Sequence, residues 1–514
     1  MFLLDRLNKD HIISPLGITS AIAIVFVTYR AVSNAKDRKR FKNIPVPSPD
    51  YPIIGMLAQN SMPGKKVYQW HEELNSPIIR LKMGMQNWIM ISDPVLCHEV
   101  LGKNGKSTAG RPYGTYGYEI YGRGGKGLSF VGQSKQWKSS RAALLEILSP
   151  KNVTKYNDFI ELEACKLVER LMHESEKSNG VDPHKLLALN ALNVICHVSF
   201  GKNYESVDDP EYNKILYMIE QGLHYAGSSS DIPKFFPFLS FLHKYLGVEK
   251  KMTDFIKNIR DPLMEKLIKE ARFNNDAPNI IRSIEEDYSF LDHDQKTVML
   301  NDVLNAGTDP LQHIFRWIFA LLCHYPEIQR ELAAEIDSFE REHGRLPTFY
   351  DKDKMPFANS TISECLRVRS PTTFGLPHLV TEDVSAGEYF IPEGSIVMSS
   401  YDHMQMSPHF INNGHEIDFR RYMNQEKSLL FRTRGKFENR DLYTFGWGRR
   451  TCPGIHLANV QLFSIFITIF SRCTIEPTVG DNGDLVYPDH KTGRCVGIST
   501  EILPYKVRFV PRPN

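Results

Sequence analysis

Apolar residues along this chain gather into long runs, and these set the first expectations. Ile12 to Tyr29 (IISPLGITSAIAIVFVTY) holds no charge and, at about eighteen residues, reaches the lower bound for a helix that crosses a bilayer. Arg30, Lys36, Arg38, Lys39, Arg40 and Lys42 follow, opposed only by Asp37, so the positive-inside rule keeps this flank in the cytosol. A cleaved signal peptide would have a shorter apolar core and a convincing small-residue cleavage site, which this run lacks. Ile44-Pro45-Val46-Pro47-Ser48-Pro49, with Pro52 and Gly55, predicts an extended, semi-rigid connector, because proline fixes φ and donates no hydrogen bond. Two further runs predict long helices. One spans roughly Met299 to Tyr325, interrupted by Ala306-Gly307-Thr308-Asp309-Pro310, and the other spans Ile455 to Phe470. Trp137 and Arg141 lie one turn apart on an amphipathic stretch. Glu364 and Arg367 share one helix face.

At 514 residues the chain exceeds ordinary single-domain size. No linker, charge block, low-complexity stretch or repeat divides it after about residue 50. The organisation expected is therefore a short tail (1–11), a transmembrane anchor (12–29), a basic flank and proline-rich hinge (30–55), and one large domain (56–514). The eight cysteines are scattered without a C-x-x-C pair, which argues against a disulfide framework or a zinc site and for a reducing compartment. A net charge of +2 with no continuous basic stripe excludes a nucleic-acid partner from the expectations.

The candidate chemistry centres on Phe445-Gly446-Trp447-Gly448-Arg449-Arg450-Thr451-Cys452-Pro453-Gly454. If Cys452 binds a metal as a thiolate, Gly448 and Gly454 let the backbone turn closely around the sulfur. Backbone N–H groups and Arg450 would keep the sulfur ionised, and the helix that starts at Ile455 would add its positive dipole end. Phe445, Gly448, Arg450, Cys452 and Gly454 match F-x-x-G-x-R-x-C-x-G, which resembles the haem-binding loop of cytochromes P450. Four more constellations resemble that family in its own order. Glu364 and Arg367 (E-x-x-R), with Arg421 in Phe419-Arg420-Arg421-Tyr422, resemble its buried charge network, although Phe419 replaces the usual proline. Trp137 and Arg141 (W-x-x-x-R) can bind an anion through an indole N–H and a guanidinium fork. In the family such a pair contacts a haem propionate, and His378 stands where another propionate partner is often found. Ala306 to Pro310 resembles the distal helix motif, with Asp309 as its acid.

The resemblance implies a mainly α fold with smaller β-sheets (α+β), the cytochrome P450 fold, behind an N-terminal transmembrane helix. It implies haem b with Cys452 as the axial ligand to iron. The expected activity is a monooxygenase inserting one oxygen atom of O2 into a lipophilic molecule of steroid, terpenoid, fatty acid or polyketide type. Electrons would come from NADPH through NADPH–cytochrome P450 reductase, with cytochrome b5 as a further donor. The anchor and hinge resemble those of fungal microsomal members, which places the enzyme in the endoplasmic reticulum membrane with its catalytic domain in the cytosol. Steroid hydroxylation and secondary metabolism are both common roles there. Arg432, Arg434, Lys436, Arg440 and Arg449 form a candidate basic docking surface for the reductase.

The distal motif departs from the family at Pro310, where an alcohol is expected. Proline has neither hydroxyl nor N–H, so proton delivery would pass to ordered water, to Asp309 or to a substrate hydroxyl. Thr308 is a candidate replacement, though its spacing turns it away from Pro310's side. The alternative this raises is a peroxygenase or an isomerase of oxygenated substrates that needs no reductase. Ala306 and Gly307 would leave room for dioxygen and substrate. Tyr113, Tyr116 and Phe374 are expected to line the pocket, and Pro233 to Leu239 to resemble a lipid-facing entry segment.

Overall fold

A computed structural model describes residues 28, 40–48 and 63–513, apart from 228–229, 237–238, 274–277, 424–427 and 497–498. The expected anchor at 12–29, save residue 28, and the hinge outside 40–48 lie outside the described residues. The helices that carry the site are α1 (Lys135–Ile147), α2 (Asn157–Lys177), α3 (His184–Phe200), α4 (Pro210–Ala226), α5 (His293–Leu322), α6 (Pro356–Val368) and α7 (Ile455–Arg472). The strands used below are β1 (Ile78–Met83), β2 (Gln86–Ile91), β3 (His378–Leu379), β4 (Ile396–Ser399), β5 (Cys473–Glu476), β6 (Gly493–Val496), β7 (Ser499–Ile502) and β8 (Arg508–Pro511). Helix dominates and the sheets are small.

α5 is the axis of the domain. It starts earlier than its apolar run suggests, because Asp292 and Gln295 form a capping box at its N-terminus. It then runs for 30 residues, straight through Pro310. Its N-terminal half (Val298, Leu300, Leu304) enters one hydrophobic cluster with Leu192, Ile195 and Val198 of α3. Its C-terminal half (Phe315, Ile318, Phe319) enters a second with Phe463 and Phe466 of α7. Between the halves, Ala306 is exposed in an otherwise largely buried helix, so the two clusters leave the helix surface open at its middle. α7 is long and apolar enough to cross a membrane, but 78% of it is buried inside the domain, and its hydrophobicity serves the core.

The main sheet has the order β1-β2-β4-β3. β1 and β2 form a hairpin whose turn uses Gly84 at φ 60. β4 lies parallel to β2 and antiparallel to β3. An isolated bridge, Gly110↔Leu379, then lays the segment that holds Arg111 beside His378 of β3. A Cβ at Gly110 would lie 2.7 Å from the Leu379 carbonyl, which is why the close approach needs glycine. The part of the expected hinge that is described packs on the domain. Phe41 and Ile44 are buried, the Arg80 N–H donates to Pro45 O (2.8 Å), and the Arg80 guanidinium lies over the Phe41 ring.

Gly307 differs from expectation. A Cβ there would meet the Ile195 side chain at 2.5 Å, so its smallness serves the contact between α3 and α5 rather than an opening for substrate. Gly307→Val should therefore destabilise the fold by about 1–3 kcal/mol through overpacking, measured by chemical denaturation. An unchanged denaturation midpoint would show that the two helices do not meet there.

Candidate active site

The thiol loop closes through the Cys452 N–H, which donates to Phe445 O (2.8 Å). Gly446 (φ 82) and Gly448 (φ 53) both need the left-handed region. A Cβ on Gly448 would also fall 2.1 Å from Leu101 O, so glycine lets the loop press against the 98–103 segment. Gly446 was not among the residues singled out from sequence. Gly454 works differently from expectation. Its φ of −87 is ordinary, and a Cβ there would meet nothing within 4 Å, so it keeps open space beside the sulfur. Burial pushes the half-buried Cys452 thiol up, opposed by the Gly454 N–H and by the charges of Arg141 and Arg434. Arg450 does not face the sulfur as expected. It lies over the Trp137 ring, 4.1 Å from its centroid, and Arg141 is the nearer helper.

Behind the loop, Glu364 and Arg367 on α6 form a fully buried fork-to-fork pair at 2.6 and 2.7 Å. Arg367 also donates to the carbonyls of Gln405 and Gly414 (2.6 and 2.5 Å) and of Glu416 (2.8 Å). Arg421 joins through its Nε to Glu364 (3.2 Å). The Gln405 side chain in turn accepts from the Tyr443 N–H (3.0 Å), and Tyr443 stacks on Trp447 at 5.0 Å. The network thus reaches the thiol loop through two hydrogen bonds and one ring stack.

On the far side of the loop three arginines and a histidine converge. Arg450 donates to the carbonyls of Ala109, Leu128 and Val131. Arg111 donates to Ser129 O and Pro377 O, and Arg141 to Thr451 O. His378 is bonded through Nδ1 to Thr108 O (2.9 Å), and the Trp137 N–H donates to Leu128 O (3.1 Å). Among the described residues no carboxylate pairs with Arg111, Arg141 or Arg450. Burial and then mutual repulsion bring Arg450 down to about 8 and Arg111 to about 9, and push His378 well below its usual value. Arginine stays protonated in proteins, so this depression records an unmet demand for anions. The space beside Gly454 and the cationic patch together fit a flat group bearing two carboxylates, as haem does. Arg111 was missed from sequence, because only the Gly110↔Leu379 bridge brings it here.

Across the cavity, Asp309 is nearly buried and saturated. His313 Nε2, one turn on, lies 3.1 Å from Oδ1, and the Ser499 hydroxyl of β7 donates to Oδ2. Neither partner was expected. Ser499 is far away in the chain, and His313 lies beyond the motif. Thr308 is fully buried and its hydroxyl has no partner among the described residues, so it does not stand in for the alcohol missing at Pro310. Asp302, one turn before Ala306, accepts from the Leu128 N–H (2.6 Å) and the Tyr121 hydroxyl (2.9 Å). Leu128 is thereby clamped between α5 and the patch.

A cavity of about 220 Å³ extends outward from Arg111 and Pro377, with Tyr116, Phe374 and Trp88 in its walls. Tyr113 instead faces solvent, 57% exposed. The basic surface is smaller than expected. Arg434, Lys436 and Arg449 are exposed, but Arg432 is buried under the Tyr422 ring (3.8 Å) and Arg440 lies on Trp447 (4.3 Å).

A long central helix over a glycine-shaped thiol loop, with an anion-seeking patch at its rim, defines a site built for a prosthetic group. The chain belongs to the cytochrome P450 family, whose model matches residues 45–509, and whose members are haem-thiolate monooxygenases. It is 27% identical over 500 residues to cytochrome P450 1A1 of Opsanus tau, covering 91% of each chain. It is also 27% identical over 489 residues to the steroid 17-alpha-hydroxylase/17,20 lyase of Squalus acanthias, covering 90% of each. A solved zebra fish cytochrome P450 with progesterone shares the fold at a TM-score of 0.71 and 21% identity, covering 88% of this chain and 100% of that one. With relatives from these sources, the expected fungal affinity is not borne out, and secondary metabolism finds no support.

Glu364→Gln should leave the Arg367 charge buried and uncompensated, at a cost of about 3–5 kcal/mol. Denaturant titration should register this, together with reduced haem retention. Wild-type stability in that variant would contradict the network's assigned weight.

Proposed function

We propose that this chain is a membrane-attached monooxygenase of lipophilic small molecules. In this reading Cys452 would bind the haem iron through its thiolate, and Arg111, Arg141, Arg450, His378 and Trp137 would hold the haem propionates. The observation that carries it is the buried cationic patch, without counter-charges among the described residues, opening beside Cys452. When bound, haem would supply the activation of dioxygen, with one oxygen atom entering an unactivated C–H bond and the other leaving as water after uptake of two electrons and two protons. The protein does the rest. Gly448 and Gly454 shape the loop around the sulfur, the Glu364–Arg367–Arg421 network fixes the loop's height, and the apolar walls exclude water. Anchorage through 12–29 in the endoplasmic reticulum membrane, and reduction by an NADPH-dependent reductase docking at Arg434, Lys436 and Arg449, complete the reading. An apolar substrate of steroid type is supported by the apolar cavity walls and by the steroid-acting relatives.

Proton handling falls to Asp309. Ser499 and His313 hold both carboxylate oxygens, so Asp309 stays oriented at the cavity edge without the neighbouring alcohol that Pro310 removes. His313 Nε2 and the Ser499 hydroxyl keep the two carboxylate oxygens in place, and a proton that Asp309 passes on would be restored to it by water. A second reading, oxygen transfer from peroxide without a reductase, rests on Pro310 alone. Product formed with peroxide and no NADPH would select it.

Reconstitution with reductase, NADPH and a panel of lipophilic compounds tests the reading. Asp309→Asn should cut product by about 100-fold or more while reductant is still consumed. Pro310→Thr should change product per reductant by less than about twofold, because the role is already filled. A large gain on Pro310→Thr would show that Asp309 and its two partners do not fill it.

A further inference from the structure

The outer end of the 220 Å³ cavity holds two charged side chains that its apolar walls do not explain. Asp231 precedes the short helix Ile232–Phe235 in the N-cap position but does not cap it. Its Oδ2 instead accepts from the Tyr116 N–H at 3.4 Å. Its Oδ1 is buried with no partner among the described residues, and the residue is only 4% exposed. Gly114 makes room for this turn, since a Cβ there would lie 3.2 Å from Oδ2.

Lys234 lines the same cavity. Its ammonium sits 5.8 Å from the Trp88 ring centroid and 5.7 Å from that of Phe235, and no described carboxylate is within ion-pair distance. Its backbone is fixed by Gln86, whose amide donates to Lys234 O (2.8 Å) while its carbonyl accepts from Trp88 Nε1 (2.8 Å). Asp231 is close enough to favour the charged lysine electrostatically, which opposes the effect of burial, yet the two do not pair. A buried carboxylate oxygen and a half-buried ammonium left apart are costly. Their retention side by side points to a ligand group that satisfies both.

The charges decide which group that is. A carboxylate would meet Lys234 but be repelled by Asp231, and an amine would meet the reverse. A ketone can accept from Lys234 but gives Asp231 nothing. A neutral hydroxyl does both at once, accepting from Nζ and donating to the Asp231 carboxylate. We propose that Asp231 and Lys234 form a subsite for a hydroxyl at one end of an otherwise apolar substrate, so that the far end of the molecule reaches inward past Phe374 toward Ala306. The subsite deepens the proposed oxidation of lipophilic molecules and rests on it. The substrate is then already an alcohol, so the class of reaction that supplies it is a hydroxylation or a carbonyl reduction.

Equilibrium dialysis of the holoenzyme tests this with two matched series. One is dodecanol, dodecanoic acid, dodecylamine and dodecane. The other is a saturated steroid carrying a ring hydroxyl, the corresponding ketone, and the parent hydrocarbon. In the series that binds, the alcohol should exceed the hydrocarbon by about ten- to a hundredfold in affinity, as expected for hydrogen bonds to charged groups. Asp231→Asn should move the preference toward the acid, and Lys234→Met toward the amine. A merely structural role for either residue would lower all affinities together without reordering them. Equal affinity of alcohol and hydrocarbon, an unchanged order in both variants, or no binding in either series overturns the proposal. Haem content and the reduced carbon-monoxide spectrum, recorded on the same samples, report separately on the haem-thiolate reading.

Discussion

The pairing of Glu364 with Arg367 is the constraint on which the rest of the site depends. Both side chains are fully buried, and a charge pair so placed gains little net stability over an apolar substitute. Its effect is geometric. Arg367 spends its remaining donors on three carbonyls, those of Gln405, Gly414 and Glu416, and so gathers the irregular stretch that leads to the thiol loop. Gln405 passes the position on to Tyr443, and the Tyr443–Trp447 stack passes it to Gly448. A loop with a single 3-10 turn, at Gly448–Arg450, is thereby held in place before α7, as a metal ligand requires.

The opposite requirement, an unsatisfied one, governs the rim. Arg111, Arg141, Arg450 and His378 converge where burial and mutual repulsion both oppose charge. The fold tolerates this because each guanidinium finds backbone carbonyls, and because Asp302 holds Leu128, whose carbonyl both Trp137 and Arg450 use. Such a patch is a standing anion receptor. Stability should rise when two carboxylates arrive, which couples uptake of the prosthetic group to consolidation of the fold. On the distal side the same economy appears in another form. Asp309 is oriented by a serine from β7 and by a histidine from its own helix, so the alcohol next in sequence can be lost to Pro310.

What was legible in the sequence follows a physical rule. The loop 445–454, the α6 pair and the Trp137–Arg141 pair involve residues within ten positions of each other, where local geometry alone brings the groups together. α7 was legible almost to the residue from its apolar run, and the mainly helical fold came with the resemblance. Arg111, Asp231 and the bond of Ser499 to Asp309 were not legible, because each depends on a tertiary contact: a β-bridge, an uncapped helix start against Tyr116, and a strand lying on α5. Charge pattern misled where cations stack on rings. Arg432 and Arg440 read as surface yet lie on Tyr422 and Trp447. Gly307 read as open space yet packs on Ile195, and Tyr113 read as a pocket wall yet faces solvent, because composition does not say which side of a loop is inward.

Every role assigned to this site depends on Cys452 binding haem iron as a thiolate within this frame. The absorption spectrum of the reduced, carbon-monoxide-bound protein reports the axial ligand directly, since thiolate donation shifts the main band far to the red of that of imidazole-ligated haem. The wild-type protein should show the thiolate band, and Cys452→Ser should lose it. A wild-type band at the imidazole-type position, or a thiolate band that survives Cys452→Ser, would contradict thiolate ligation by Cys452.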